Sequence, residues 1–232
     1  MFIVEGNIGT GKTTMLEAIK KHMPHLSVQF ESVAQWQKSD NSKSILQRFY
    51  DDAPRWAYTM EVASLRTRVP EHISLQKNKE LTQILERSIY SGFHCFAYNG
   101  YLSKFLQPVE WEVFKQWFDF AVRKCEAPRG FIYLQADPET SYERTKKRNR
   151  AEESTLPLDY INQIHQRHEE FLVHKKNVHH SIKDIPVLVL DCNKDLTVDE
   201  ATLYSYLEKI EQFIAETKTE FTPQYKYDAY QL

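Results

Sequence analysis

Short apolar runs alternate with longer amphipathic segments along this chain. Phe2-Ile3-Val4, Val28-Gln29-Phe30, Gln83-Ile84-Leu85, Phe131-Ile132-Tyr133-Leu134 and Val187-Leu188-Val189-Leu190 read as buried strands. Runs of this length and composition suit a parallel sheet covered on both faces. Between them, apolar residues recur at helical spacing near 13–22, 42–75, 90–104, 109–125, 138–149, 157–176 and 198–215. The alternation predicts an α/β fold, a doubly wound sheet of about five parallel strands. Ligands of such sheets sit beyond the carboxyl ends of the strands. The polar residues that follow each strand therefore matter most: residues 6–14, Glu31, Glu86-Arg87-Ser88, Asp137 and Asp191. Any one of these is often a helix cap or a solvated turn, but a cluster at one edge predicts a site.

The first of these segments carries the most specific pattern. Gly6-Asn7-Ile8-Gly9-Thr10-Gly11-Lys12-Thr13-Thr14 fits G-x-x-x-x-G-K-[ST], with a predicted strand before it and the amphipathic Met15, Leu16 and Ile19 after it. That is the setting of a phosphate-binding P-loop. Its glycines allow the tight turns that aim successive N–H groups at a phosphate chain at the positive end of the following helix. Lys12 would reach the β- and γ-phosphates, and the Thr13 hydroxyl is placed to ligate a bridging Mg²⁺.

Composition narrows the class. No linker, repeat or low-complexity tract divides the 232 residues, so a single domain is expected, with a C-terminal tail over 217–232 that holds Tyr225, Tyr227 and Tyr230. A formal charge of -2 argues against a nucleic-acid binder. Cys95, Cys125 and Cys192 are widely separated and outside any C-x-x-C spacing, which suggests reduced, buried thiols. No apolar run approaches the length of a membrane span and the chain opens on a strand, so a cytoplasmic protein without a membrane partner is expected.

Three further segments complete a pattern. Glu31-Ser32-Val33-Ala34-Gln35-Trp36, Glu86-Arg87-Ser88-Ile89-Tyr90-Ser91, and Arg144, Arg148 and Arg150 followed by Glu152-Glu153 occur in this order. With the P-loop, they resemble the deoxyribonucleoside kinases, over residues from about 1 to about 195. The resemblance implies a P-loop kinase fold, with a five-stranded parallel sheet flanked by helices and a helical lid. It also implies ATP-dependent phosphorylation of a deoxynucleoside 5′-hydroxyl, and a homodimer.

Physical roles can be argued beside the resemblance. Glu31, ending the second predicted strand, would lie by the P-loop and accept the 5′-hydroxyl proton; the alternative is an ion-pair partner of Lys12. Arg87 would donate its fork to the 5′-oxygen or the phosphate, and Glu86 would hold Mg²⁺ directly or through water; the alternative is a buried Glu86-Arg87 bridge. Arg144 and Arg148 share a helix face, and Arg150 follows where Asn149 can end the helix. Such an array could close over ATP and offset developing charge, or be a solvated face. The resemblance makes 144–153 the lid, with Arg148 and Arg150 on the phosphates and Arg144 near the adenine.

The nucleoside pocket rests on the resemblance alone. It implies that Tyr50 and Glu153 hold the sugar 3′-hydroxyl, that Phe96 stacks on the base, and that Trp36, Trp56 and Met60 form apolar walls. Two positions depart from the family pattern. Glu61 stands where most members carry a base-reading glutamine; ionised, it would suit the N–H pair of guanine, unless it is protonated or turned toward Arg68. Gly92 replaces an aspartate, which resembles the thymidine-accepting members and leaves room for a 5-methyl group. The two point in different directions; the reading inclines to thymidine or broad specificity and leaves deoxyguanosine open.

Other features carry less. His165, His168 and the adjacent His179-His180 lack zinc spacing and read as surface residues. Two other classes remain. A nucleoside monophosphate kinase would need basic residues where Tyr50, Met60 and Glu61 stand, and a non-catalytic protein on this scaffold would normally have lost Lys12, Glu31 or Arg87.

Overall fold

The computed structural model of the protein describes residues 1–32 and 43–220. Along the chain run β1 (Phe2–Glu5), α1 (Lys12–His22), β2 (Leu26–Gln29), α2 (Ile45–Asp51), α3 (Ala53–Lys77) and β3 (Thr82–Glu86). Helix α4 begins at Ile89–Ser91 and runs through a π-helical turn, Gly92–Ala97, into Tyr98–Leu102. Then come α5 (Pro108–Val122), β4 (Gly130–Gln135), α6 (Pro138–Arg148), α7 (Leu158–His168, continuing as the π turn Glu169–Val173), β5 (Val187–Asp191) and α8 (Glu200–Glu220).

The strands form one parallel sheet in the order β2-β3-β1-β4-β5. Alternation along the central strands divides the core. Phe2, Val4, Ile132 and Leu134 face α1 and α8, packing with Met15, Leu16, Ile210 and Ile214. Ile3, Phe131 and Tyr133 face the other way, with Leu85, Tyr90, Phe118 and Phe171. Only β1, β3 and β4 are largely buried; β2 and β5, at the edges, are half-covered, unlike the uniformly buried strands expected. A third apolar cluster, including Leu46, Phe49, Met60, Phe114, Ile161 and Ile164, ties α2, α3, α5 and α7 together beyond the sheet.

Local chemistry sets several boundaries. The helical segment expected over 42–75 is two helices, because Asp52 leaves helical geometry and caps α3, its carboxylate accepting from the Arg55 N–H at 3.3 Å. Proline in the first turn of α3 suits that start. Helix α6 ends at Asn149 in the left-handed region (φ 52°), a conformation asparagine tolerates better than most residues. Cys95, Cys125 and Cys192 are all buried, and none of them forms a disulfide. His168 is fully buried rather than at the surface: its Nδ1 lies 2.8 Å from the Ile164 carbonyl oxygen and its ring stacks on Tyr133. No helix among the described residues is long and apolar enough to cross a membrane.

Candidate active site

A cavity of about 530 Å³ opens at the carboxyl edge of the sheet. Its floor begins with the turn between β1 and α1, where Gly6, Gly9 and Gly11 all have positive φ. Gly9 (φ 83°) is also a close approach: a Cβ there would lie 2.2 Å from the Ser141 carbonyl oxygen of α6, so the lid helix rests on the P-loop backbone. Ile8 through Thr14 line the cavity. The side chain of Asn7, expected among the phosphate-binding residues, braces the loop. Its side-chain amide donates to the Ile161 carbonyl at 2.8 Å and its Oδ1 accepts from the Ile8 N–H at 2.8 Å.

Lys12 folds back over the loop. Its Nζ donates to the carbonyls of Asn7 (2.6 Å) and Gly6 (3.2 Å). Burial, then Arg87, lowers the ammonium to about 7 against the opposing pull of Glu86, Glu31 and Glu5, and a bound phosphate would add to that pull. Thr13 Oγ1 donates to Glu86 Oε1 at 3.5 Å. A hydroxyl and a carboxylate side by side at the mouth of a P-loop are an oxygen donor set that fits Mg²⁺, which takes few protein ligands and completes its shell with water and phosphate.

Glu31, just past β2, lies across the cavity from the loop. It pairs with Arg68 (Nη2 to Oε1, 2.5 Å) and Arg87 (Nε to Oε2, 3.4 Å), rather than directly with Lys12. Burial pushes its carboxyl up, but Arg68, Arg87 and Lys12 outweigh that and hold it below the usual range. Arg87 sits at φ 60°, an uncommon geometry for a residue with a side chain, and its guanidinium lies over the Phe96 ring at 4.8 Å. The bridge within Glu86-Arg87 does not form, since Glu86 turns to Thr13 and to the Glu31 N–H (3.3 Å). Ser88 caps α4, accepting from the N–H groups of Tyr90 and Ser91 and donating to Glu5 at 2.5 Å. Asp137 and Asp191, by contrast, are exposed and do not line the cavity; they shape turns through Asn193.

Arg148 and Arg150 face the cavity paired with Glu153, at 2.6 and 3.4 Å. Arg144 donates to the carbonyls of Cys192, Asn193 and Lys194 at 2.6 to 3.1 Å, so it holds the loop after β5 against the lid. Residues 194–197 of that loop, and Lys147, line the cavity as well.

The far end is lined by Leu46, Phe49, Tyr50, Met60, Glu61, Ser64, Arg68, Phe96 and Tyr160. Burial, then the charge of Glu153, raises the Tyr50 phenol, so it stays a neutral donor. Trp36 lies outside the described residues. Trp56 stands away from the cavity lining, flanked by Arg48 and Arg55. Gly92 is also set back, and the space it leaves is taken up: a Cβ there would lie 2.8 Å from Arg68 Nη1, so the gap holds a guanidinium rather than room for a methyl group. Ser64 and Tyr160 escaped the sequence reading because they look like any polar or aromatic positions on a packed helix, and Arg68 entered it only as a partner for Glu61, not for Glu31.

The sequence is similar to those of known proteins. The profile of the deoxynucleoside kinase family matches residues 2–215. Deoxycytidine kinase 2 of Gallus gallus is 31% identical over 235 residues, covering 91% of this chain and 89% of the relative. The mitochondrial deoxyguanosine kinase of Xenopus laevis is 32% identical over 234 residues, covering 91% and 88%. The human mitochondrial thymidine kinase 2 is 37% identical over 171 residues, covering 73% and 63%. With a family match spanning nearly the whole described chain, on a parallel sheet with a P-loop at its carboxyl edge, this chain belongs to the deoxynucleoside kinase family.

Proposed function

We propose that this chain transfers the γ-phosphoryl group of ATP to the 5′-hydroxyl of a deoxyribonucleoside, with thymidine among the bases accepted. The supporting observation is that Lys12, Thr13, Glu31, Glu86 and Arg87 line one cavity with a mainly apolar and aromatic far end.

The reaction follows from these placements. The nucleoside oxygen forms a bond to the γ-phosphorus as the bond to the ADP oxygen breaks, and the hydroxyl proton passes to Glu31. Glu31 is held ionised and fixed from two sides, which suits alignment and late proton acceptance in a loose transition state. Lys12 and Arg87 offset charge on the transferred group, and Arg148 and Arg150 join them by exchanging Glu153 for phosphate oxygens. That exchange frees Glu153 to accept from the sugar 3′-hydroxyl, with Tyr50 donating. Thr13 and Glu86 would hold Mg²⁺, which neutralises and orients the phosphate chain.

A monophosphate kinase fits less well, because Arg68, the cation among the residues named at the far end, is tied to Glu31. A homodimer is part of this reading. Val109, Val113, Trp117 and Phe120 form an exposed apolar row along α5, suited to a second copy. Buried thiols that form no disulfide suit a reducing compartment such as the cytoplasm.

The test is a panel of the four deoxynucleosides and their monophosphates with ATP and Mg²⁺. Phosphorylation of at least one deoxynucleoside supports the proposal. Inactivity on all four with ATP binding intact rejects it, and activity on the monophosphates alone transfers it to the other class.

A further inference from the structure

Glu61 projects from α3 into the far end of the cavity and is only 6% exposed. It makes no hydrogen bond or ion pair with any described residue. The cation two turns along its helix is directed elsewhere: Arg68 Nη2 is on Glu31, and Nη1 donates to the Ser88 carbonyl at 3.4 Å. Arg87, across the cavity, is directed to Glu31 too. A carboxyl left this way, largely shielded from water and without a matched donor among the described residues, is expensive to ionise. Burial raises it to about 8, an effect that Arg68 offsets only in part.

Building on the deoxynucleoside kinase reading, we propose that Glu61 reads the nucleobase as a neutral carboxylic acid, so that base selection depends on its proton. A neutral carboxyl presents an O–H donor beside a carbonyl acceptor. Thymine offers N3–H beside a carbonyl, and cytosine and adenine offer a ring nitrogen beside an amino group. Guanine offers N1–H beside O6. All four can close a two-bond ring with the acid, as they could with an amide. Once the proton is lost, only acceptors remain. Guanine still presents two adjacent N–H groups, whereas thymine sets a carbonyl against an anion.

The other groups at this end keep their charge through neutral pH. Arg68 on α3 is held cationic, since burial opposes its charge but Glu31 outweighs that, and Arg87 after β3 is another guanidinium group lining the cavity. Glu31, after β2, is held low, while Tyr50 on α2 and Tyr160 on α7 are pushed up by burial. His168, behind Phe96 on α7, is kept neutral by burial. Lys12, at the opposite end, is kept charged by saturating ATP.

The experiment is competition between thymidine and deoxyguanosine from about pH 6.5 to about pH 9, at saturating ATP and Mg²⁺, for the wild-type protein and Glu61→Gln. The wild-type ratio of kcat/KM, thymidine over deoxyguanosine, is expected to fall roughly tenfold or more across this range, while that of Glu61→Gln stays level. A level wild-type ratio, or an equal fall in both proteins, overturns the proposal. Carboxyl ¹³C NMR of glutamate-labelled protein gives a readout that needs no activity. A resonance that titrates near 8 and is missing in Glu61→Gln is expected, and a Glu61 midpoint below about 6 overturns the proposal. Inactivity on every deoxynucleoside would reject the enzyme reading instead, and the titration would still judge Glu61.

Discussion

Arg68 Nη2 lies 2.5 Å from Glu31 Oε1, with both side chains about 10% exposed. The carboxylate proposed to take the substrate proton is thus held from a helix across the cavity. The contact makes Glu31 a weaker base than a free carboxylate but fixes where it points. In phosphoryl transfer, where alignment matters more than basicity, that favours reaction.

Glu31→Gln keeps an oxygen for Arg68 and removes the proton acceptor. We expect kcat to fall by about 10² to 10⁴-fold with KM for the nucleoside nearly unchanged. Steady-state kinetics on the best substrate checks this, and a rise in KM at constant kcat would make Glu31 a binding residue.

Lys12→Ala and Arg87→Ala each remove a buried cation from the cavity. Turnover should fall by at least about 10²-fold in both, because each group acts on charge that develops in the transition state. Thermal melts should show that both variants remain folded; full turnover in either would remove that residue from the mechanism.

Gly9→Val tests the contact between lid and P-loop. A Cβ there would meet the Ser141 carbonyl at 2.2 Å, so α6 must move off the loop. We expect KM for ATP to rise roughly tenfold or more, with a lower melting temperature. Gly11→Ala, with φ 90° but nothing near the added Cβ, should cost only about 1–2 kcal/mol of stability. Urea titrations of both variants compare the two effects.

Stability should depend on pH through Glu61. Its folded value, about 8, lies above the ordinary 4.5, so between these values the folded state holds a proton that the unfolded state has lost. This contribution is therefore fully present at low pH and is lost as pH rises, at up to about 1.4 kcal/mol per unit. Glu61→Gln lacks it. The variant should gain on the wild-type protein in urea midpoint from about pH 5 to about pH 8, and a constant difference would show that Glu61 is ionised throughout.

The central strands, the P-loop and the capped end of α6 were legible in the residues because each depends on near neighbours. Phe2-Ile3-Val4 can bury only in a sheet interior, glycines at 6, 9 and 11 allow the positive φ of the turn, and Asn149 tolerates the left-handed cap. The break at Asp52 was missed because the apolar spacing continues across it, and His168 was misplaced because its burial comes from packing against Tyr133. What spacing could not express was the partner of each charge. Glu31 and Arg68 are 37 residues apart, and Arg148 and Arg150 meet Glu153 only after the turn at Asn149. Electrostatic energy depends on distance and burial in space, and both are set when α3 packs beside the sheet edge. That packing draws Arg68 to Glu31, fills the gap at Gly92 and leaves Glu61 buried without a partner among the described residues.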